Sequence, residues 1–372
     1  MLITIVAGAR PNFMKIAPII KAIKKSEAQG KNIHFRIVHT GQHFDARMSS
    51  EIFAQLEIPE PDNNLGAGGG SQAQQTAAIM VGFEAELLAH KPDLVLVVGD
   101  VTSSMACTIV AKKMQIDVVH VEAGIRSGDM HMPEEINRIL TDSVCDHFFT
   151  TSQHACDNLK TIGTPSSKIH FVGNTMIDTL FQNIDKIKSP LDVGISSLKK
   201  GAYLLLTLHR PSNVDDPVKL QRILAAIVSS RSSLPIVFPV HPRTRKVLDS
   251  MQFNPNELIL LEPQPYLEFL YLIKNARGII TDSGGITEEA TVLNIPCITM
   301  RNSTERPETV LDGTNELVGD DLFLLSKLIH KIVIGNWKTG VIPDLWDGKT
   351  SERIVDVLIQ HYSSPTFAAL VH

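Results

Sequence analysis

Short apolar runs recur along the first half of this chain, at residues 2–7, 33–39, 94–99, 118–121, 147–150 and 169–172. Each is followed by a stretch of helical length with its apolar residues on one side. Strands that alternate with helices specify βαβ units, and βαβ units specify a parallel sheet covered on both faces. The pattern breaks after Gly173-Asn174-Thr175 and restarts at 203–208, 236–240, 258–261, 278–281 and 297–300. The expectation is therefore α/β: two Rossmann-like, doubly wound domains, at residues 1–173 and 174–350. A length of 372 residues suits two domains of roughly 150 residues each. Residues 188–201, KSPLDVGISSLKKG, have the Pro, Gly and Ser content of a connection. The last segment, 351–372, opens with helical spacing in SERIVDVLIQHY, and spacing alone leaves open whether that helix returns to the first domain.

Charge and composition remove several classes of function. Lys plus Arg number 35 against 40 for Asp plus Glu, a net charge of −5. A nucleic-acid partner is not expected, because such binding draws on a clustered basic surface. The start, MLITIVAGARP, enters an apolar strand without a basic leader and is read as no signal peptide. No apolar run approaches the ~18 residues of a membrane span, so no membrane association is expected. The four cysteines, Cys107, Cys145, Cys156 and Cys297, form no CxxC pair and no dense framework, which fits a reducing, cytoplasmic compartment.

Open α/β sheets bind ligands outside the carboxyl ends of their strands, so the residues just past each run are the candidates, and the cleft between two such domains is the expected site. After the first run come Arg10 and Lys15, with Pro11 placed to start a helix. They read as an anion cradle or as an ordinary turn with a solvated Arg. Asp100 and Glu122 put carboxylates at two strand ends. Asp100 also reads as a helix cap, whereas Glu is a poor cap. In MPEEINRIL, residues 132–140, Ile136, Ile139 and Leu140 make one apolar face. Glu134 and Arg138, four apart, then share the other face, as a simple ion pair or as a third carboxylate fixed by an Arg.

The second half delivers His209 and Arg210, then His241 and Arg243, to strand ends, as structural histidines or as an anion-binding rim. A strand, a turn at Ser283-Gly284-Gly285 and a helix start offer free amides and a positive dipole end to a diphosphate. Glu288 and Glu289 follow, as dipole partners or as a ribose ligand. Arg301 and Arg306 come after the last run. Neither GxGxxG, GxxxxGK[ST], HExxH nor GxSxG occurs at these turns, so the expectation is no cofactor and no metal.

Taken together, GARPNFMKIAPI, Gly99-Asp100, HVEAGIRSGD, MPEEINR, GNTMID, LTLHR, TDSGGITEEA and MRNSTERPE resemble the non-hydrolysing UDP-N-acetylglucosamine 2-epimerases, in family order over nearly the whole chain. The resemblance implies a GT-B arrangement with an interdomain cleft, UDP being held mainly by the second domain, and a homodimer. By motif, it implies Asp100, Glu122 and Glu134 as acid/base carboxylates. Ser283, Gly284 and Gly285 are implied as diphosphate contacts, Glu289 as the ribose ligand and Phe269 as the uracil-site residue. Arg10, His209 and Arg306 fall around the phosphates and sugar, with His209 among the catalytic positions, while Gln42, Arg210 and His241 fall at allosteric-type positions, His241 being counted with the substrate-binding residues. Lys15 and Arg138 complete the expected substrate-binding set.

The implied reaction is inversion at C2 of the sugar by elimination and re-addition of UDP through a 2-acetamidoglucal. Without a dinucleotide fingerprint, transient oxidation by a bound nicotinamide is not supported. The chain departs from many relatives in Pro211-Ser212-Asn213 after His209-Arg210. Three other functions share much of this pattern: a hydrolysing 2-epimerase releasing N-acetylmannosamine and UDP, a GT-B glycosyltransferase, and a sugar-nucleotide sensor without turnover.

Overall fold

The computed structural model describes residues 1–42, 46–190, 199–251 and 258–362, and divides into two compact units. The first comprises residues 1–182 and 344–372, the second 183–343. Residues 191–198 of the expected connection and 363–372 of the expected C-terminal segment lie outside the described residues.

The first unit runs β1 (Leu2–Ala7), α1 (Arg10–Ala28), β2 (His34–His39), α2 (Ala46–Leu56), β3 (Asn63–Asn64), α3 (Gln72–Ala89), β4 (Leu94–Val98), α4 (Thr102–Lys113), β5 (Asp117–Val121), α5 (Pro133–Val144), β6 (His147–Thr150), α6 (Gln153–Thr161), β7 (Ile169–Phe171) and α7 (Thr175–Asn183). The second runs β8 (Leu204–Thr207), α8 (Pro211–Val214), α9 (Pro217–Ser230), β9 (Ile236–Pro239), α10 (Pro242–Ser250), β10 (Ile259–Leu261), α11 (Tyr266–Asn275), β11 (Gly278–Thr281), α12 (Gly284–Val292), β12 (Cys297–Thr299), α13 (Pro307–Leu311), β13 (Asn315–Leu317) and α14 (Leu322–Ile334). A last helix, α15 (Thr350–Tyr362), belongs to the first unit.

Both sheets are parallel throughout: seven strands in the order β3-β2-β1-β4-β5-β6-β7, and six in the order β10-β9-β8-β11-β12-β13. The strand order reverses between β1 and β4 in one unit and between β8 and β11 in the other. At such switch points two loops diverge and leave a crevice at the carboxyl edge. Strands buried on both faces read as continuous apolar runs, and every residue of β4, Leu-Val-Leu-Val-Val, is buried. The two strands the sequence reading missed, β3 and β13, are the short ends of their sheets, where Asn63-Asn64 and Asn315-Glu316 carry no apolar signal.

Helix α1 continues through Pro18. A proline there cannot donate to the carbonyl of Met14, one turn back. The Thr179 hydroxyl on α7 donates to that carbonyl instead, at 2.5 Å, so α7 packs on α1 and lies in the first unit. The unit boundary accordingly falls at Gln182, past the expected break after Gly173. The return also begins before residue 351. Trp346, 1% exposed, donates its indole N–H to the Thr151 carbonyl at 3.0 Å. The amides of Thr350 and Ser351 donate to the Asp178 carboxylate at 3.1 and 2.7 Å, capping α15 from a distant part of the chain.

Helix α5 reverses the expected orientation. Its buried residues are Glu135, Asn137, Arg138, Thr141 and Asp142. Ile136, Leu140 and Val144, at helical spacing, are 43%, 42% and 41% exposed. An apolar stripe marks a face that meets something; here the polar face meets the sheet edge, because that is where the carboxylates of the strand ends need partners.

Candidate functional site

In the first unit the site is built where β1, β4 and β5 end. Asn12, in the first turn of α1, accepts from the amides of Gly8 and Ala9 at 3.1 and 3.0 Å and donates to the Val98 carbonyl at 3.1 Å. That ties the first βα turn to the end of β4. Lys15, on the next turn, is buried and ion-paired with Glu122. Glu122 follows β5 with φ of +73°, a left-handed backbone that costs a non-glycine residue about 1–2 kcal/mol. The amides of Glu122 and Ala123 both donate to the Phe149 carbonyl, at 2.9 and 3.1 Å, which holds this turn in place. Gly124 is required beside it, because a Cβ would stand 2.3 Å from the Ala155 carbonyl oxygen. Gly99, with φ of +63°, is constrained less tightly: a Cβ there would meet the Lys15 ammonium, the end of a long side chain, at 2.9 Å.

Asp100 is held by a second cation. Arg138 donates to its carboxylate at 2.5 Å, and Asn137 donates to its backbone carbonyl at 2.8 Å. Arg138 is itself fixed by Glu135 at 2.8 Å. Glu135 also accepts from the Ser127 amide and hydroxyl and from the Gly128 amide, at 2.8, 3.0 and 3.1 Å. Burial works to raise the Glu135 pKa, but these donors outweigh it and hold the carboxyl below its usual range. The expected Glu134–Arg138 pairing is thus replaced by Glu135–Arg138–Asp100, because residues three apart share the buried face. Glu134 is half-buried beside it, as is Arg10 at the start of α1. Behind them His120 lies between Asp142, 2.7 Å away, and the Gly99 carbonyl, 2.9 Å away. Arg126 donates to Asp142 at 2.6 Å.

In the second unit the centre is Asp282, directly after β11 and fully buried. It accepts from the amides of His209 and Arg210 at 3.0 and 2.9 Å and from the Asn213 amide group at 3.1 Å. Its carboxylate lies 2.8 Å from His209 Nδ1. Burial opposes its charge, yet these hydrogen bonds hold the carboxyl below its ordinary value. Asp282 therefore fixes the direction of the imidazole, whose side chain stays 41% exposed. The exposed His241 ring stands 6.1 Å from that of His209, centre to centre. Burial, then the neighbouring His209 and Arg243, push the His241 pKa down.

Next to Asp282 the chain turns into α12. The Ser283 side chain makes no cap hydrogen bond there. A Cβ added at Gly285 would meet nothing within 4 Å, so the side-chain position of this residue borders open space. Glu289, 3% exposed, accepts from the Tyr266 hydroxyl at 3.1 Å. Phe269, one turn on along α11, is half-buried. Arg306 is buried and paired with Glu288, and Arg301 forms a double hydrogen bond with Glu305 at 2.7 and 2.8 Å.

Two groups thus emerge, one per unit. Lys15, Asp100, Glu122, Glu134 and Arg138 gather at the first switch point, with Arg10. His209, His241, Ser283, Gly284, Gly285, Glu289 and Arg306 lie around the second, with Phe269 on α11. The sequence reading passed over Asn12, His120, Glu135, Asp142, Tyr266 and Asp282. A signal existed for Asp282, which directly follows a strand as Asp100 and Glu122 do. None existed for Asp142, nearly three turns into a helix.

A family model described as UDP-N-acetylglucosamine 2-epimerase matches residues 25–359. The UDP-N-acetylglucosamine 2-epimerase of Methanocaldococcus jannaschii is 42% identical over 371 residues, 96% of this chain and 99% of that protein. The UDP-2,3-diacetamido-2,3-dideoxy-D-glucuronate 2-epimerase of Pseudomonas aeruginosa is also 42% identical, over 322 residues, 86% of this chain and 88% of that protein. The crystal structure of the M. jannaschii UDP-GlcNAc 2-epimerase in complex with UDP-GlcNAc and UDP superimposes with a TM-score of 0.86 at 41% identity, covering 97% of this chain and all of that one.

Proposed function

Because the chain belongs to the UDP-N-acetylglucosamine 2-epimerase family, we propose that this epimerase interconverts UDP-N-acetylglucosamine and UDP-N-acetylmannosamine without net hydrolysis. The observation that carries this reading is the left-handed, ion-paired Glu122 beside the Arg-bound Asp100, two carboxylates held by separate cations at one switch point. The hydrogen at C2 is not acidic, so inversion needs a device. One carboxylate takes the C2 proton, the C1–oxygen bond breaks, and UDP leaves with the bonding electrons to give a 2-acetamidoglucal. UDP then adds back at C1 while a proton reaches the opposite face of C2 from the second acid. Atoms balance with no oxidant and no water.

In the second unit the helix start at Gly284-Gly285 and the side chains of His209 and Arg306 suit the leaving diphosphate, since donors fixed where charge develops act without reorganisation. Glu289, oriented by Tyr266, suits the ribose hydroxyls, and Phe269 the uracil. Lys15 and Arg138 hold Glu122 and Asp100 in position; Glu134 is the third acid, Arg10 and His241 further phosphate contacts. A homodimer through the exposed Ile136-Leu140-Val144 stripe of α5 would cover that apolar face. It predicts a dimeric mass by light scattering and a monomeric one for Leu140→Glu. Four buried free cysteines suit a cytoplasmic setting, and no helix among the described residues is long and apolar enough to cross a membrane.

The test is incubation with UDP-N-acetylglucosamine in deuterated water, followed by NMR of the sugar. Deuterium at C2 of a UDP-linked N-acetylmannosamine is expected. Free N-acetylmannosamine with UDP would mark the hydrolysing reaction, and an unchanged sugar would sink the assignment of this substrate. The equal identity to the P. aeruginosa relative favours one second reading, a more substituted sugar. Offering UDP-2,3-diacetamido-2,3-dideoxy-D-glucuronate in the same assay separates the two.

A further inference from the structure

Three histidines meet far from the strand ends that carry the proposed chemistry. His147 opens β6 and His170 lies in β7, its neighbour in the first sheet. Side chains alternate along a strand, so His147 shares a face with Phe149, and the register pairs Phe149 with His170. Both imidazoles therefore project from the same face near the amino ends of their strands. His147 Nδ1 and His170 Nε2 stand 3.1 Å apart. The third ring, His361, comes from the last turn of α15, with ring centres 4.6 Å from His147 and 5.4 Å from His170. One ring nitrogen from each lies within 4.8 Å of the others. The end of α15 is held over this spot by Tyr362, whose hydroxyl donates to Asp117 at 3.1 Å and whose ring meets that of His147 edge-on.

We propose that His147, His170 and His361 form a three-imidazole site for a divalent transition-metal cation such as zinc, which clamps the terminal helix onto the sheet of the first unit. Zinc binds imidazole nitrogen at about 2.0–2.1 Å, so tetrahedral ligand nitrogens stand about 3.3–3.4 Å apart. The His147–His170 pair, at 3.1 Å, is within about 0.3 Å of that spacing. The exposed His361 closes the remaining gap by about 1.4 Å, within the reach of a side-chain rotation. Only neutral imidazole binds a metal. Exposure of His361 leaves the fourth position to water, as in sites with three protein ligands. The ligands are 23 and 191 positions apart (170 − 147 and 361 − 170), which is why no metal spacing is legible in the sequence.

The experiment is calorimetric titration of zinc chloride into chelator-treated full-length protein. One saturable equivalent is expected, with a rise in melting temperature, because a ligand that binds only the folded state stabilises it by mass action. His361→Gln, at an exposed position, is expected to keep its fold and its turnover of UDP-N-acetylglucosamine. It should lose about tenfold or more in zinc affinity, as for the loss of support at other metal sites, together with the rise in melting temperature. His170→Gln should behave alike. Absence of saturable zinc binding overturns the proposal, and so does a His361→Gln protein that titrates like the wild type, which would place the metal elsewhere, for instance at His209 and His241. Neither outcome bears on the epimerase reading, whose assay needs no added zinc.

Discussion

The two units share one topology, a parallel sheet whose order reverses beside its first strand, yet the crevices at their switch points hold opposite chemistry. The first gathers carboxylates and answers each with a cation: Lys15 for Glu122, Arg138 for Asp100 and Glu135. The second buries a carboxylate, Asp282, as a fixture for His209 and leaves that imidazole 41% exposed. The difference teaches that the fold supplies the place and the strand-end residues supply the function. On the proposed reading the first unit moves protons and the second holds the anion, so substitutions should split cleanly into losses of turnover and losses of affinity.

The largest expected effect tests that split directly. Glu122→Gln or Asp100→Asn should lower kcat by about 10²–10⁴, the usual range for general acid–base groups, with the UDP dissociation constant from calorimetry unchanged. A parallel fall in UDP affinity would break the comparison. Within the first unit, Glu135→Ala takes one of two carboxylates from the buried Arg138 and the acceptor from the Ser127 and Gly128 amides, and should destabilise the fold by about 1–3 kcal/mol, read by urea denaturation. Glu134→Gln, at a half-buried position, should lower turnover while stability stays within about 0.5 kcal/mol. The reverse result would reassign the two neighbours.

In the second unit Glu289→Ala should cost about 1.5–3 kcal/mol of UDP binding, tenfold or more in Kd. Tyr266→Phe removes only the donor that aims Glu289, and about 0.5–1.5 kcal/mol of affinity is expected to go with it. The smallest effect is the pH response. A carboxyl whose pKa is depressed by folding adds stability above its unfolded pKa and loses it as pH falls through the folded value. Asp282 and Glu135 are both depressed, so the melting temperature should fall once pH drops below about 4. Asp282→Asn, less stable at neutral pH, should show a shallower fall.

By itself the sequence determined the alternation of strands and helices, and hence two parallel sheets, because buried parallel strands must be apolar on both faces and helices must supply the crossovers. It also determined which residues stand at the strand ends, since a run of apolar residues announces its own carboxyl end; Arg10, Asp100, Glu122, His209 and Ser283 were legible for that reason. What it left open is what those side chains meet. Arg138 pairs with Glu135 because α5 turns its polar face inward, and the helical period of Ile136 and Leu140 pointed the other way. Asp282 holds His209, 73 positions earlier, because β8 and β11 are neighbours, and His361 reaches His147 because α15 returns to the first unit. Such partnerships join residues remote in sequence, and no local periodicity encodes them. They come into being only when the sheet order and the packing of the last helix bring those residues within hydrogen-bonding distance.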